Sequence, residues 1–261
     1  MELSLIQAIL IGLWTAFCLS GMLLGIYSNR CIVLSFGVGV ITGDMQTALS
    51  VGAISELAYM GFGVGPGGSV PPNPIGPGIF GTLMAITSKG AITPEAALAL
   101  STPIAVAIQF LQTAAYTVRS GAQGAAIKAL EERNLSRFKF EANATIWLFA
   151  LIGLALGILG AVSMSTLTSL VDYIPKWLMK GLTIAGKMLP AIGFAMILST
   201  MVKKEVIPFV ILGYVLAAYF QLPVIGIALV GTIFALNELY NKPKVVVETT
   251  ETNEGGTDDW I

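Results

Sequence analysis

The sequence predicts an all-α membrane protein: a multi-pass helical bundle with broken or re-entrant segments and a Pro/Gly-rich intramembrane loop. Hydrophobic residues make up 55% of the 261 residues and charged residues only 11%, whereas a soluble domain carries about 25% charge. The mean hydropathy is +0.82. A soluble domain of this size cannot bury so much apolar surface. Several apolar runs also approach the roughly 20 residues that a membrane-crossing helix needs.

The first apolar run extends from Leu3 to about Tyr27 and predicts a crossing helix that ends at a polar break. We expect this run to be retained, because a cleaved signal peptide begins with basic residues and none precedes it. Residues 31–64 are apolar and rich in glycine, with Asp44 and Glu56 embedded. Asp44 follows Gly43 and is predicted to cap a helix that starts at residue 45.

The segment 65–78 reads GPGGSVPPNPIGPG and is predicted to be non-helical, because proline lacks an amide donor and glycine loosens the backbone. At membrane depth such a backbone is tolerated only when it is buried in protein or lines a wet cavity. Broken segments of this kind often build the binding site of a transporter. The alternative is a surface loop rich in turn residues. A short apolar piece at 79–87 and a long helix at 94–118 are predicted to follow.

The segment 119–141 is predicted to be an amphipathic helix outside the membrane core. The positive-inside rule places it in the cytoplasm, because it holds the largest group of basic residues: Arg119, Lys128, Arg133, Arg137 and Lys139.

Further crossings are predicted in the second half of the chain. Residues 144–171 and 181–202 are long apolar runs, and 172–187 predicts an interfacial helix anchored by Trp177. The runs 206–221 and 223–239 are short for a crossing, which favours tilt or a hairpin. We therefore expect a membrane domain over 1–240 and a polar, acidic, disordered cytoplasmic tail over 241–261.

Composition excludes several functional classes. The 14 basic and 15 acidic residues give a net charge of −1, so the chain lacks the excess of positive charge that is typical of nucleic-acid-binding proteins. The chain contains no histidine, so histidine bases and metal ligands are excluded. Cys18 and Cys31 form no CxxC pair and are interpreted as packing residues. No phosphate-binding loop motif occurs, and we expect neither a metal nor a cofactor.

Asp44 and Glu56 are the only charged residues between Cys31 and Ser88. An ionisable group at membrane depth normally faces a cavity, a partner or a substrate, although either carboxylate could instead be solvated at an interface. On one continuous helix their separation of 12 residues corresponds to about 18 Å. This is too far for an acid–base pair, so separate roles are expected. Gly52 shares the helix face of Glu56 and is predicted to leave room beside the carboxylate.

Neutral amides supply the remaining candidate contacts. Asn73 offers both a donor and an acceptor within a loop stiffened by Pro72 and its neighbours, which suits a sugar hydroxyl. Gln109 and Gln112 share one face of the helix 94–118, where bridging between helices is an equally good interpretation. Gln46 is a further candidate. Amides combined with one or two carboxylates describe a site for a polyhydroxylated ligand that is neutral or carries an amino group.

The stretch GVGVITGDMQTALSVGAISELAYMGFGVGPGGSVPPNPIGPG resembles the membrane IIC subunit of the mannose-type sugar phosphotransferase systems. The order of GDMQT, Glu56, the glycine-rich approach and the proline-rich loop carries the resemblance. The later stretches GLTIAGKMLPAIGFAMIL and PFVILGYVLAAYF also look like this subunit. The resemblance extends over most of residues 3–240.

The resemblance implies a sugar-translocating subunit in a bacterial cell membrane. It implies a partnership with a IID membrane subunit and with soluble IIA/IIB proteins that carry the phosphate. The sugar would bind near Glu56 and Asn73, and Glu56 would either position a hydroxyl or accept its proton. The PPNP sequence at 71–74 resembles members that handle N-acetylgalactosamine or galactosamine, since mannose and sorbose members tend to have Asp at the position of Asn73.

Two other classes stay open at this point. A proton-coupled secondary sugar transporter would use Glu56 and Asp44 as its proton relay. A non-catalytic scaffold or receptor subunit would use the proline-rich loop only for assembly.

Overall fold

The computed structural model of the chain describes residues 3–60, 72–172 and 175–241, without the side chains of 165 and 167–172. The described residues are mainly helical. A 3₁₀ turn (Met22–Leu24) follows α1, and a π-helical turn (Gly76–Gly81) precedes α4. The helices are α1 (Leu5–Gly21), α2 (Cys31–Thr42), α3 (Met45–Tyr59), α4 (Thr82–Thr87), α5 (Pro94–Val118), α6 (Ala122–Glu131), α7 (Leu135–Asp172), α8 (Lys176–Met201), α9 (Ile207–Ala218) and α10 (Val224–Asn241).

Five helical stretches in the described residues are long and apolar enough to cross a membrane. Large apolar side chains lie on the surface of these stretches, for example Phe110 at 72% exposure and Trp147 at 72%. A soluble protein does not expose so much apolar surface, whereas lipid tails accept it. The chain is an integral membrane protein, and the predicted fold class is confirmed. The stretches begin at α1, α5, α7, α8 and α10.

The chain divides into two compact units, one ending at Met201 and the other beginning at Val202. In the second unit α9 and α10 pack against each other, with the ring centres of Phe209 and Phe234 5.7 Å apart. The 12 residues of α9 span about 18 Å, which is less than the hydrocarbon core. The 18 residues of α10 come closer to its thickness.

The first unit is held together by an extensive contact between α1 and α7. Glycines allow the two backbones to approach closely: a Cβ at Gly157 would lie 2.7 Å from Gly12 Cα, and one at Gly153 would lie 2.7 Å from Ala16 Cα. Small residues at helix contacts are the usual means of close packing between membrane helices.

Helices α2 and α3 form a hairpin joined by Gly43 and Asp44. Gly43 ends α2 with φ +83°, a conformation that favours glycine. Asp44 caps α3, because its Oδ1 accepts a hydrogen bond from the Thr47 amide at 3.1 Å. The predicted cap at Asp44 is confirmed. The space at Gly52 has a different role from the one predicted: a Cβ there would lie 2.8 Å from Ser35 Cβ, so α2 fills it.

The prediction that 65–78 is non-helical is wrong for its last residues, while 65–71 lie outside the described residues. Gly76–Gly81 form a π-helical turn that continues into α4. Pro77 is tolerated because it stands in the first turn, where its missing amide costs no helical hydrogen bond.

Two boundaries in the second half differ from the prediction. The segment 119–141 is not one helix, because Arg133 adopts φ +54° and the Asn134 side chain accepts a hydrogen bond from the Arg137 amide, 3.1 Å away, at the start of α7. The described residues of 172–187 form no separate interfacial helix, since α8 begins at Lys176 and runs unbroken through Pro190. Trp177 lies in the first turn of α8 and is exposed.

Candidate functional site

Glu56 on α3 forms an ion pair with Arg30, the residue that precedes α2. The Arg30 Nε donates to Glu56 Oε1 at 2.6 Å, and Nη2 contacts the same oxygen. The Glu56 side chain is only 17% exposed, while that of Arg30 is 46% exposed. The attraction of the Arg30 guanidinium therefore offsets part of the free-energy cost of removing the Glu56 carboxylate from water.

The hairpin explains why these two side chains meet. Arg30 lies 13 residues before Gly43, and Glu56 lies 13 residues after it. Since α2 and α3 run in opposite directions from this turn with extensive contact between them, the start of α2 lies beside the end of α3. An acidic and a basic residue equally spaced from a turn thus become neighbours.

Glu56 also caps α2 from outside that helix. The Ile32 amide in the first turn of α2 donates to Glu56 Oε2 at 3.3 Å. Arg30 occupies the N-cap position without a side-chain cap, so the carboxylate from α3 satisfies a donor that the helix leaves free. A negative charge at a helix N-terminus is also favoured by the helix dipole.

Glu56 and Arg30 line an open cavity of about 100 Å³. It is smaller than the roughly 300 Å³ of a typical small-molecule pocket. Asn29 Oδ1 is buried beside it and accepts no hydrogen bond within the described part of the chain. The wall thus combines an ion pair with a free acceptor. The other lining residues are Cys31, Tyr59, Pro72 and Pro74.

Asn73 is 1% exposed and ties its loop to α5. Its side-chain Nδ2 donates to Gln112 Oε1, and its Oδ1 accepts from the Ile75 amide at 3.0 Å. Its own amide donates to the Ala105 carbonyl at 3.1 Å. While the flanking prolines Pro72 and Pro74 line the Glu56 cavity, Asn73 bonds to α5 and is absent from the cavity wall.

Gln109 lies in a second open cavity, of about 270 Å³. Pro72 lines both this cavity and the one at Glu56, so the two cavities are neighbours. The two glutamines of α5 therefore differ: Gln112 is buried against Asn73, and Gln109 lines a cavity. The remaining lining residues are Val106, Phe110 and Thr113.

Asp44 and Gln46 lie at the opposite end of α3 from Glu56. Because α3 is continuous from Met45 to Tyr59, Asp44 and Glu56 are about 18 Å apart along it. Gln46 is exposed. In this conformation the structure does not bring these two residues to the Glu56 cavity, nor does it form a direct proton relay between the carboxylates.

Sequence reasoning missed Arg30, Asn29 and Tyr59 as neighbours of Glu56. In the sequence the first two form part of a polar break after residue 27, and Tyr59 stands in an apolar run. For Arg30 a signal existed in its equal spacing with Glu56 from Gly43. Nothing in the sequence alone indicated that Asn29 Oδ1 would be buried without a donor.

A multi-pass helical bundle with an ion-paired carboxylate beside a cavity is typical of a membrane transport protein. The family model described as the PTS system sorbose-specific IIC component matches residues 5–237. The chain belongs to this family, the mannose-type IIC components of the sugar phosphotransferase systems.

Two relatives illustrate the range of the family. The chain is 32% identical to the sorbose-specific EIIC component of Lacticaseibacillus casei, over 94% of this chain and 88% of the relative. It is 30% identical to the N-acetylgalactosamine permease IIC component 1 of Escherichia coli K12, over 81% of this chain and 79% of the relative. These identities are too similar to distinguish one sugar from another.

Solved structures agree with this assignment. One described as a membrane protein matches with a TM-score of 0.83 and 27% identity, over 93% of this chain and 98% of the other. The structure of the mannose transporter ManYZ in complex with microcin E492 matches with a TM-score of 0.58 and 27% identity, over 94% and 99%. The fold is therefore that of a sugar-transporting IIC subunit.

Proposed function

We propose that this IIC component binds its sugar at Glu56 and presents it for phosphorylation during uptake. The observation that carries the proposal is a carboxylate, paired with an arginine, that lines a cavity within an apolar bundle. A carboxylate has about four lone-pair directions. Arg30 contacts Oε1 and the Ile32 amide contacts Oε2, which leaves acceptor capacity for a sugar hydroxyl. Such a charge-assisted bond is stronger than a neutral one.

In this proposal Glu56 positions the hydroxyl rather than acting as a general base. Arg30 and the Ile32 amide hold the carboxylate from two sides, which fixes its orientation. Catalysis of phosphoryl transfer depends mainly on positioning and charge stabilisation. A fixed acceptor supplies the positioning, and the phosphate arrives from outside the chain.

The other predicted contacts have different parts in this proposal. Pro72 and Gln109 extend the site into the second cavity, and Asn73 holds the loop in place through Gln112. Asp44 and Gln46 would meet the sugar at another point of its path, because α3 separates them from Glu56.

We favour N-acetylgalactosamine or galactosamine over mannose as the sugar. The support is the sequence PPNP at 71–74, where Asn73 stands in place of the aspartate typical of mannose and sorbose members. The proposed partners are a IID membrane subunit and phosphate-carrying IIA and IIB proteins. We place the chain in the bacterial plasma membrane, with 119–141 and the tail 241–261 on the cytoplasmic side; most of that tail lies outside the described residues.

The experiment is Glu56→Gln, assayed as phosphoenolpyruvate-dependent phosphorylation of labelled N-acetylgalactosamine in membranes that contain the partner subunits. Loss of a charge-assisted hydrogen bond of about 1.5–3 kcal/mol should lower turnover by roughly tenfold to over a hundredfold. Glu141→Gln is the matched control, since Glu141 is 18% exposed and is also paired with an arginine. Unchanged turnover in a folded Glu56→Gln protein would refute the site.

Substrate choice is tested in the same membranes. N-acetylgalactosamine, galactosamine and mannose are supplied separately at equal concentration. The proposal expects faster phosphorylation of the two amino sugars. A faster reaction with mannose would contradict this choice of sugar and leave the site assignment at Glu56 intact.

A further inference from the structure

Arg30 lines two cavities, and its side chain is more exposed than that of its partner Glu56. Besides the Glu56 cavity, it lines a larger open cavity of about 360 Å³ with Asn29 and Tyr27. Nε and Nη2 both contact Glu56 Oε1, while Nη1 has no partner within the described residues. The guanidinium is therefore the part of the ion pair that a ligand in either cavity can approach.

The charges around the site sum to zero. Arg30 is the first basic residue of the sequence, and the next is Lys89. Arg30 and Glu56 are the charged residues in the cavity wall that the structure describes. Asp44, the other acidic residue before Lys89 in the described chain, is about 18 Å away along α3. Without Arg30 the cavity would present one uncompensated negative charge.

We propose that Arg30 lowers the affinity of the sugar site for a protonated amino sugar relative to its N-acetylated counterpart. This proposal rests on the proposed function of Glu56. A protonated amino sugar would gain attraction from Glu56 but meet repulsion from Arg30 at a similar distance, while losing hydration in a weakly polar cavity. The N-acetylated sugar can use the free acceptor capacity of Glu56 without that repulsion.

Galactosamine and N-acetylgalactosamine separate the charge repulsion by Arg30 from the hydrogen bonding by Glu56. They differ at one nitrogen, which is an ammonium in the first and a neutral amide in the second. Both are measured by displacement of labelled N-acetylgalactosamine from membranes that contain the chain with its partner subunits. The quantity of interest is the ratio of the two dissociation constants.

Arg30→Gln should shift this ratio toward galactosamine by at least about tenfold, which corresponds to about 1.4 kcal/mol. Arg30→Lys should keep the wild-type ratio, because it keeps the charge. The double variant Arg30→Gln/Glu56→Gln should lose most of the shift, because both charges are removed. A role of Arg30 in folding alone would weaken both sugars equally, and an unchanged ratio in Arg30→Gln would overturn the proposal.

Glu56→Gln provides an independent arm that does not require Arg30→Gln to fold. It leaves Arg30 uncompensated, so the ratio should move in the opposite direction, against galactosamine. If Glu56→Gln impairs neither binding nor phosphorylation, the proposed function itself fails. If it impairs both sugars equally and Arg30→Gln leaves the ratio unchanged, only the role of Arg30 in selectivity fails.

Discussion

Two Arg–Glu pairs of similar chemistry lie in very different surroundings. Glu56 and Glu141 are almost equally exposed, at 17% and 18%, but their arginines differ, at 46% for Arg30 and 22% for Arg119. Arg119 is further fixed by the Glu141 carbonyl at 3.0 Å and by the Thr145 hydroxyl at 3.4 Å. Arg30 has Glu56 as its only described side-chain partner and faces cavities.

The difference shows that an ion pair does not by itself indicate function. The Arg119–Glu141 pair joins the end of α5 to the first part of α7, and every contact that fixes it lies within the protein. The Arg30–Glu56 pair also joins two helices, but it leaves donor and acceptor capacity beside open space. Spare hydrogen-bonding capacity next to a cavity, rather than charge, distinguishes the candidate site.

Exchanging the partners of each pair should give the largest contrast. Arg30→Glu/Glu56→Arg keeps one positive and one negative charge but places a guanidinium, which has donors and no acceptor, at position 56. We expect sugar phosphorylation to fall by at least about a hundredfold, since both the acceptor and the cap of Ile32 are lost. Phosphorylation of N-acetylgalactosamine in membranes with the partner subunits measures this.

The same exchange at the other pair is the control. Arg119→Glu/Glu141→Arg should reduce turnover by less than about threefold, because opposite charges still face each other and neither residue lines the Glu56 cavity. Equal losses in both exchanges would mean that the two pairs serve the same structural purpose.

Removing each arginine by itself should affect stability in the opposite order: the Arg119 variant should lose more stability than the Arg30 variant, although the Arg30–Glu56 pair matters more for turnover. Arg119→Ala loses contacts to two groups of Glu141 and to Thr145, and we expect it to destabilise by about 1–3 kcal/mol. Arg30→Ala removes a half-exposed side chain and leaves Glu56 beside an open cavity that water can enter, so it should cost about 1 kcal/mol or less. Thermal unfolding of the detergent-purified protein, followed by monodispersity, measures both. A larger loss at Arg30 would show that its pair is chiefly structural.

The smallest effect is expected on the alkylation rate of Cys31, which lies beside the Arg30–Glu56 pair. Both cysteines are buried, at 1% exposure for Cys31 and 0% for Cys18, but Cys31 lines the Glu56 cavity and Cys18 does not, so a reagent small enough to enter the cavity reaches Cys31 first. In a Cys18→Ser background, bound sugar should slow alkylation of Cys31 by a small thiol reagent, because the ligand occupies the approach. Mass spectrometry of the labelled protein gives the rate. The Cys31→Ser protein that keeps Cys18 should label at a rate independent of sugar. Equal protection of the two cysteines would place the sugar elsewhere.

Much of the helical arrangement follows from sequence. The apolar runs predict α1, α5 and the crossing part of α7, and the Gly43–Asp44 step predicts the start of α3, because these signals are local. The helix break at Arg133 and Asn134 was missed, since a positive φ at arginine has no simple sequence signature. The helix start at Gly76 was missed because a proline-rich string obscures a π-helical turn whose proline stands in its first turn.

The candidate site was only partly predictable. Glu56 stands out because charge is rare in this half of the chain, but its partner depends on how α2 and α3 pair in space. Asn73 was predicted as a sugar contact from its chemistry, yet its hydrogen bonds go to α5 and Ile75. Side-chain direction within an irregular loop is set by tertiary contacts, which composition does not reveal.

Arg30 and Glu56 are equally spaced from Gly43, so the lengths of the two hairpin arms determine whether the two charged side chains meet. One inserted residue in α3 would rotate Glu56 by about 100° and advance it by about 1.5 Å, turning the carboxylate away from Arg30 and from the Ile32 amide. A change of helix length would thus leave both charges in the chain but no longer paired with each other. The number of residues between Gly43 and each charged residue thus specifies this ion pair as much as the identity of the two residues does.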